Sequence, residues 1–347
     1  MQDETHLPTN RRAVLASFTT LGVGAMTAVI PSSSIAATVP TKGGWVRRNL
    51  AFESNGVELQ GALFRPSGVD GKLPGLVISG PFGSVKEQSP VQYATRLAKA
   101  GYACLIFDPT GSGASGGAPR RTEGPSQRQR DIRAATDALA ADPGTDTNRI
   151  GGLGICQGAS YMMFAVAEDP RLKVLACISG QYLYKENLEG FFSGGGPTLD
   201  ERIARGNQAK AREAAGGPVE YIPVISPTDK SVALPWREIN DWYARWDGLG
   251  WGSRTTWENR VTASSDADVW TVDVRKPAGK IDVPTLILHG EKSDGFLVAA
   301  RTVYDSLRVN DRKLIIEPGV FHTRFYDDPE VVDNAVSEVV TWLAGRL

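Results

Sequence analysis

Residues 149–158 read Arg149-Ile150-Gly151-Gly152-Leu153-Gly154-Ile155-Cys156-Gln157-Gly158, and Ala159-Ser160-Tyr161-Met162-Met163-Phe164-Ala165-Val166-Ala167 follow. The first part is a short apolar run of the kind that forms a strand buried on both faces. The last part reads as a helix. Between them stands G-x-C-x-G, a cysteine with glycine two positions away on either side. A strand that turns straight into a helix strains the residue at the turn and leaves no room for side chains at either flank. Such a turn lifts one side chain above the end of the sheet. It also sets that side chain at a helix N-terminus, whose partial positive charge favours a thiolate. Cys156 is therefore the candidate nucleophile. The plainer alternative is a cysteine buried for packing, and it fits Cys104 and Cys177, which lie inside apolar strand patterns.

Working outward, further short apolar runs fall at 76–79, 102–107, 172–178, 285–288 and 313–316. Helical patterns lie at 90–100 and 127–141. Phe296, Ala300, Val303 and Leu307 recur at helical spacing, as do Val332, Val336, Val339 and Leu343. Strands alternating with helices predict a parallel sheet covered on both faces. Ahead of them, 46–54 and 57–64 alternate around Asn55-Gly56, a hairpin signal. The 347 residues suit one large α/β domain with an insertion. A net charge of −1 argues against a nucleic-acid partner. Three cysteines without a CxxC pair suggest neither a disulfide framework nor a zinc site, and no cofactor or metal is expected.

The alternation fails for about 100 residues between 179 and 285. That stretch holds six of the eight tryptophans: Trp236, Trp242, Trp246, Trp251, Trp257 and Trp270. It reads as a cap over a pocket, with most of the tryptophans building the cap's own core and some lining the site.

Two of the three histidines lie beyond the N-terminal region. His322 follows the run 313–316 and a Glu317-Pro318-Gly319-Val320 turn, at the same sheet edge as Cys156, and is the candidate base. His289 ends its strand in His289-Gly290 and is expected to order a loop. Asp294 is the first choice for the carboxylate that orients His322, and Glu291 the second. For stabilising an oxyanion, the Gln157 N–H is one donor. The second comes from Gly80-Pro81-Phe82-Gly83; Pro81 has no N–H, so Phe82 is expected, with Gly83 in reserve. Lys86-Glu87-Gln88 either lines the site or starts the next helix.

Gly111-Ser112-Gly113-Ala114-Ser115-Gly116 matches G-x-G-x-x-G but does not open a helix at once, so a phosphate cradle is not expected. The five arginines between Arg120 and Arg133 read as a solvated helix face.

The first twelve residues end in Arg11-Arg12, an apolar stretch runs over 13–30, and small residues surround Ala36-Ala37. This order is that of an export signal, and the arginine pair resembles a twin-arginine leader. Cleavage near residue 37 would remove His6, leave no membrane span and place the mature chain in the periplasm or outside the cell.

From about Trp45 to Leu347 the chain resembles the α/β-hydrolase superfamily. The Cys156 elbow is similar to its cysteine-nucleophile branch, which includes dienelactone hydrolases and related acyl hydrolases and transferases. The loop from Asp108 to Gly116 looks like that superfamily's D-x-R-G-x-G-x-S-x-G segment, with Thr110 in the arginine position. The carboxylate is displaced from its usual place in the superfamily, where Ser293 stands. The export pattern sets a leader at 1–37 and the broken alternation an inserted cap at 181–280, a departure from the compact dienelactone hydrolases; the resemblance implies a hydrolase core at 38–180 and 281–347. It implies a Cys156–His322–carboxylate triad acting on a small acyl substrate, an ester, thioester or lactone, through an acyl-thioester. Acyl transfer on the same residues is the alternative. A non-catalytic periplasmic binding protein on a degenerate fold is the third reading. Oligomeric state is left open.

Overall fold

The computed structural model describes residues 39–40, 44–246 and 255–347, the side chains of Val39, Pro40 and Asp294 excepted. The expected leader and Trp251 lie outside the described residues. The main sheet has nine strands: β1 (Val39–Pro40), β2 (Trp45–Ser54), β3 (Val57–Pro66), β4 (Leu73–Ser79), β5 (Ala103–Phe107), β6 (Thr145–Ile155), β7 (Leu172–Ile178), β10 (Thr285–Gly290) and β11 (Arg312–Glu317). The short β8 (Tyr221–Ile222) and β9 (Val261–Thr262) pair apart from it.

Spatial order in the main sheet is β1-β2-β3-β5-β4-β6-β7-β10-β11. β1, β2 and β3 run antiparallel and everything from β5 onward is parallel. This is the α/β-hydrolase fold. The hairpin expected at Asn55-Gly56 forms, with both turn residues at positive φ (49° and 79°), which matches the twist of the flanking strands. Burial follows the arrangement. Every residue of β5 and β10 is buried, whereas β2 alternates, as an antiparallel strand near the sheet edge does. Helices Ser89–Lys99, Pro125–Ala141, Gln157–Val166, Asp294–Ser306 and Pro329–Leu343 cover the faces. Among the described residues no helix is long and apolar enough to cross a membrane.

Because the central strands are parallel, the turns after β4, β6, β7, β10 and β11 share one edge. The cap segment covers that edge with short helices, among them Lys185–Phe191, Leu199–Ala214, Arg237–Tyr243 and Ser265–Val269. Trp242, Trp246, Trp257 and Trp270 are buried in it, and Trp236 is half-buried.

The glycine-rich loop after β5 wraps a carboxylate of its own chain. Asp108 accepts the backbone N–H of Lys86 and of Ala114, both at 2.9 Å, and pairs with the Lys86 ammonium at 2.6 Å. A Cβ at Gly113 would overlap that carboxylate. Thr110 bonds the buried Asp131 instead of reaching out. The segment Lys86-Glu87-Gln88 leads into helix Ser89–Lys99, with Gln88 at its N-cap, while Lys86 itself fastens the loop after β4 to the loop after β5. Gln88 braces the same loop by accepting the Val85 N–H at 2.9 Å. Removing one member of a buried pair leaves a desolvated charge. Lys86→Met should cost about 3 kcal/mol, at the low end of that class because two backbone donors remain. Urea unfolding should show a lower midpoint with an unchanged slope.

Candidate active site

β6 ends at Ile155, and Cys156 follows with φ 57° and ψ −124°, a conformation that L-residues rarely adopt. Both flanks must be glycine. A Cβ at Gly154 would overlap the Gly158 carbonyl and the Ala159 backbone, and one at Gly158 would overlap the carbonyls of Ser79 and Gly80. The thiol faces inward beneath the cap and is 3% exposed.

The backbone N–H groups of Gln157 and Phe82 both donate to the sulfur. The Tyr326 hydroxyl hydrogen-bonds it as well, and Gln181 Oε1 lies 3.9 Å away. Burial pushes the thiol up to about 11, and the two backbone donors offset only part of that. The charge of a preformed thiolate is thus disfavoured. Cys104 and Cys177 are buried in β5 and β7, and burial raises both thiols, Cys177 to about 12.

His322 is fully buried. Its Nδ1 lies 2.9 Å from Ser179 Oγ and its Nε2 lies 2.8 Å from the Tyr326 hydroxyl. Ser179 Oγ also donates to the His322 carbonyl at 3.0 Å. A hydroxyl has one proton, so with that proton on the carbonyl Oγ faces Nδ1 as an acceptor. Nδ1 then carries the ring hydrogen and Nε2 is the free base. Burial, with the His289 ring beside it, holds this imidazole well below its usual pKa. Phe296 stacks on its face at 4.2 Å. The same Phe296 lines an apolar cavity of about 370 Å³ with Phe191, Trp236 and Tyr184.

His289 spans two backbone carbonyls, those of Gly290 at 3.2 Å and Gly180 at 3.3 Å. Burial lowers it to about 4, so it is a neutral brace. Glu291, the second choice for the carboxylate, needs correction. Its side chain is exposed and accepts the Gly319 N–H at 2.8 Å, so it fixes the turn after β11 and does not meet His322. Asp294 opens helix Asp294–Ser306, and its side chain lies outside the described ones. Among the described side chains, Ser179 is the partner of Nδ1.

The structure adds three groups that the sequence reading did not single out. Ser179 ends the run of β7 at φ 44°. Tyr326 stands four residues after His322, a helical spacing that places both on one side of the chain. Glu123 lies buried behind the Phe82 loop, where it accepts the Gly83 N–H at 2.7 Å and pairs with Arg128. Tyr161 joins Glu123 at 3.2 Å and holds the Gln157 side chain. Two arginines of the 120–133 stretch are thereby corrected: Arg121 and Arg128 are buried, not on a solvated face. From the cap, Tyr243 donates to the Phe82 carbonyl at 2.6 Å and Trp270 stacks on the Phe82 ring at 5.8 Å. Glu238 grips the Thr323 N–H and hydroxyl, next to His322.

A family model described as X-Pro dipeptidyl-peptidase (S15 family) matches residues 55–323. An uncharacterized protein of Pseudomonas aeruginosa is 28% identical over 305 residues, 84% of this chain and 78% of its own length. The crystal structure of that protein superposes with a TM-score of 0.77, covering 89% of this chain and 96% of the other at 26% identity. The α/β hydrolase GrgF of a Penicillium species shares the fold, with a TM-score of 0.73 over 86% of this chain and 98% of its own at 20% identity. The thiohydrolase aneE of Aspergillus aculeatus is 29% identical over 182 residues, 52% of this chain and 54% of its own.

A thiol held at about 11 reacts in proportion to a small thiolate fraction. Carbamidomethylation of Cys156 by iodoacetamide, followed by peptide mass spectrometry, should accelerate about tenfold per pH unit from about pH 6 to about pH 9, with no plateau. A plateau at neutral pH would reveal a stable thiolate.

Proposed function

We propose, from the premise that this chain belongs to the X-Pro dipeptidyl-peptidase (S15) family of α/β-hydrolases, a family of hydrolase-type enzymes, that it is an acyl hydrolase whose nucleophile is Cys156. The observation that carries this reading is the convergence of the Phe82 and Gln157 N–H groups on the sulfur. When the sulfur bonds to a carbonyl carbon, the oxygen that becomes negative is attached to that carbon, within reach of the same two donors. Such donors are each worth about 3 kcal/mol in acyl-transfer sites. His322, with Nε2 unprotonated, is the base. Asp294 remains the proposed carboxylate of the site, at the head of the helix that carries Phe296.

The sulfur adds to the carbonyl, the tetrahedral adduct collapses, and the leaving group departs with the proton that Cys156 gave up. An acyl-thioester remains. His322 then withdraws a proton from water as it attacks, and the acid and the free thiol are restored. A thiolate is itself a good leaving group. The adduct therefore moves forward only when the substrate's own leaving group is comparably stable, as in a thioester, an enol ester, a lactone of that kind or an activated ester. The name of aneE, a thiohydrolase, agrees with this class. Cleavage of a peptide bond asks for expulsion of an amine and is the weaker fit. Acyl transfer to an alcohol or amine is the second reading. It draws support from the burial of Cys156 and His322 beneath an aromatic cap, which disfavours bulk water.

Purified protein should hydrolyse acyl-thioesters and p-nitrophenyl esters faster than Xaa-Pro anilides, and Cys156→Ala should lose about a thousandfold or more in kcat/KM. Full activity in Cys156→Ala would overturn the assignment. Product analysis with an added alcohol or amine separates transfer from hydrolysis.

The Arg11-Arg12 pair and the apolar stretch after it support export by the twin-arginine route. In a bacterial host, Arg11→Lys with Arg12→Lys should retain the precursor in the cytoplasm, whereas fractionation of the wild type should find a shortened mature chain in the periplasm.

A further inference from the structure

Between the expected nucleophile and the expected base stands a third group. Among the described residues, His322 Nε2 hydrogen-bonds the Tyr326 hydroxyl at 2.8 Å rather than the thiol. The same hydroxyl lies beside the Cys156 thiol. The polarity of the chain is fixed from its far end. With the Ser179 proton on the His322 carbonyl, Nδ1 is the donor and Nε2 the acceptor. The Tyr326 proton therefore lies toward Nε2, and the Tyr326 oxygen is open to receive a hydrogen from the thiol.

Tyr326 is also held with little freedom. It lies on the short helix Arg324–Asp327 and is fully buried. Trp242 of the cap meets its ring edge-on at 4.9 Å. The preceding residue, Phe325, is anchored by the Tyr93 hydroxyl, which donates to its carbonyl at 2.7 Å. The turn that begins this helix is clamped by Glu238 through Thr323. The cap and helix Ser89–Lys99 thus hold this turn from two sides, which is what a proton-transfer position requires.

We infer that the Tyr326 hydroxyl is a catalytic proton relay between Cys156 and His322. The inference deepens the acyl-hydrolase reading and rests on it. As the sulfur bonds to the carbonyl carbon, the thiol proton passes to the Tyr326 oxygen while the Tyr326 proton passes to Nε2. The carbonyl π pair moves onto oxygen. In the collapse of the adduct the order reverses: Nε2–H returns its proton to Tyr326, and Tyr326 gives its own to the departing group. The tyrosine ends each half-reaction as it began, and no net charge rests on it. Burial holds its phenol well above the usual pKa, consistent with two protons moving together and not through a phenolate.

Tyr326→Phe keeps the ring and removes the hydroxyl. With an acyl-thioester substrate, kcat/KM should fall about a hundredfold or more, the scale of general acid–base participation. The melting temperature should stay within a few degrees. The wild type supplies an independent readout that needs no variant. A proton inventory in H2O–D2O mixtures, measured under acylation-limited conditions, should be curved for two protons in flight, and that of Tyr326→Phe should be linear. Mass spectrometry of the quenched enzyme should find the acyl group on Cys156. A linear wild-type inventory, or a Tyr326→Phe variant that acylates within threefold of wild type, would overturn the relay and leave Cys156 as nucleophile. Absence of any acyl adduct on wild-type Cys156 would remove the acyl-hydrolase reading and the relay together.

Discussion

Cys156 occupies a backbone conformation that costs about 1–3 kcal/mol and persists only where neighbours over-determine it. They do so through every polar group of its main chain. Its N–H donates to the Ile178 carbonyl at 3.1 Å, and its carbonyl accepts from Gln181 at 2.9 Å and from Ala159 at 3.0 Å. Two of those partners belong to the end of β7, so the elbow is fastened to the neighbouring strand as well as to its own helix. Ser179, between them in sequence, takes a positive φ of 44° and turns its hydroxyl to His322. One distorted crossing at the ends of β6 and β7 therefore positions both Cys156, the proposed nucleophile, and the hydroxyl that faces Nδ1 of His322, the proposed base.

The other half of the site depends on carboxylates that never meet a substrate. Asp108, through Lys86, fixes the far end of the loop after β4, and Glu123 fixes its middle through Gly83. Phe82 lies next to that anchored glycine. Its carbonyl is taken by Tyr243 and its ring by Trp270, which leaves its N–H directed at the sulfur. A loop of glycine and proline has little reason to hold one shape alone. Two buried charges and two cap aromatics supply that reason here. This also explains why the tryptophans of the cap serve mostly as packing: they immobilise the loop and the His322 turn, and the aromatic cluster of Phe191, Trp236 and Phe296 closes the apolar side.

What was legible in the sequence was what is local. The glycines around Cys156, the Asn55-Gly56 hairpin and the apolar runs of the buried strands each express a constraint that acts within a few residues. The contacts that complete the site join residues far apart in the chain. Ser179 and His322 are separated by 143 positions, and the Tyr93 bond that anchors Phe325 spans 232. No periodicity records such pairs. Arg128 shows how a local rule misleads, because an arginine in a charged helix reads as solvated until a buried Glu123 is found facing it. Tyr326 was the exception in principle, since its spacing from His322 is one helical turn.

The electrostatics of the site run against a resting ion pair. Burial raises the Cys156 thiol to about 11 and drives His322 the other way, so moving a proton from one to the other in the empty site creates two desolvated charges. The balance changes only when a carbonyl arrives, because the negative charge then passes from sulfur to an oxygen served by two fixed N–H groups. Proton transfer and carbon–sulfur bond formation are thereby coupled: neither is favourable alone. In the proposed mechanism the site holds Cys156 as an unreactive thiol until a substrate carbonyl reaches it. It also holds the proton on an imidazolium that burial makes strongly acidic, ready to be handed to whatever leaves. The constraint behind the proposed chemistry, a cysteine forced above the sheet into a buried pocket, is the same one that keeps the thiol protonated.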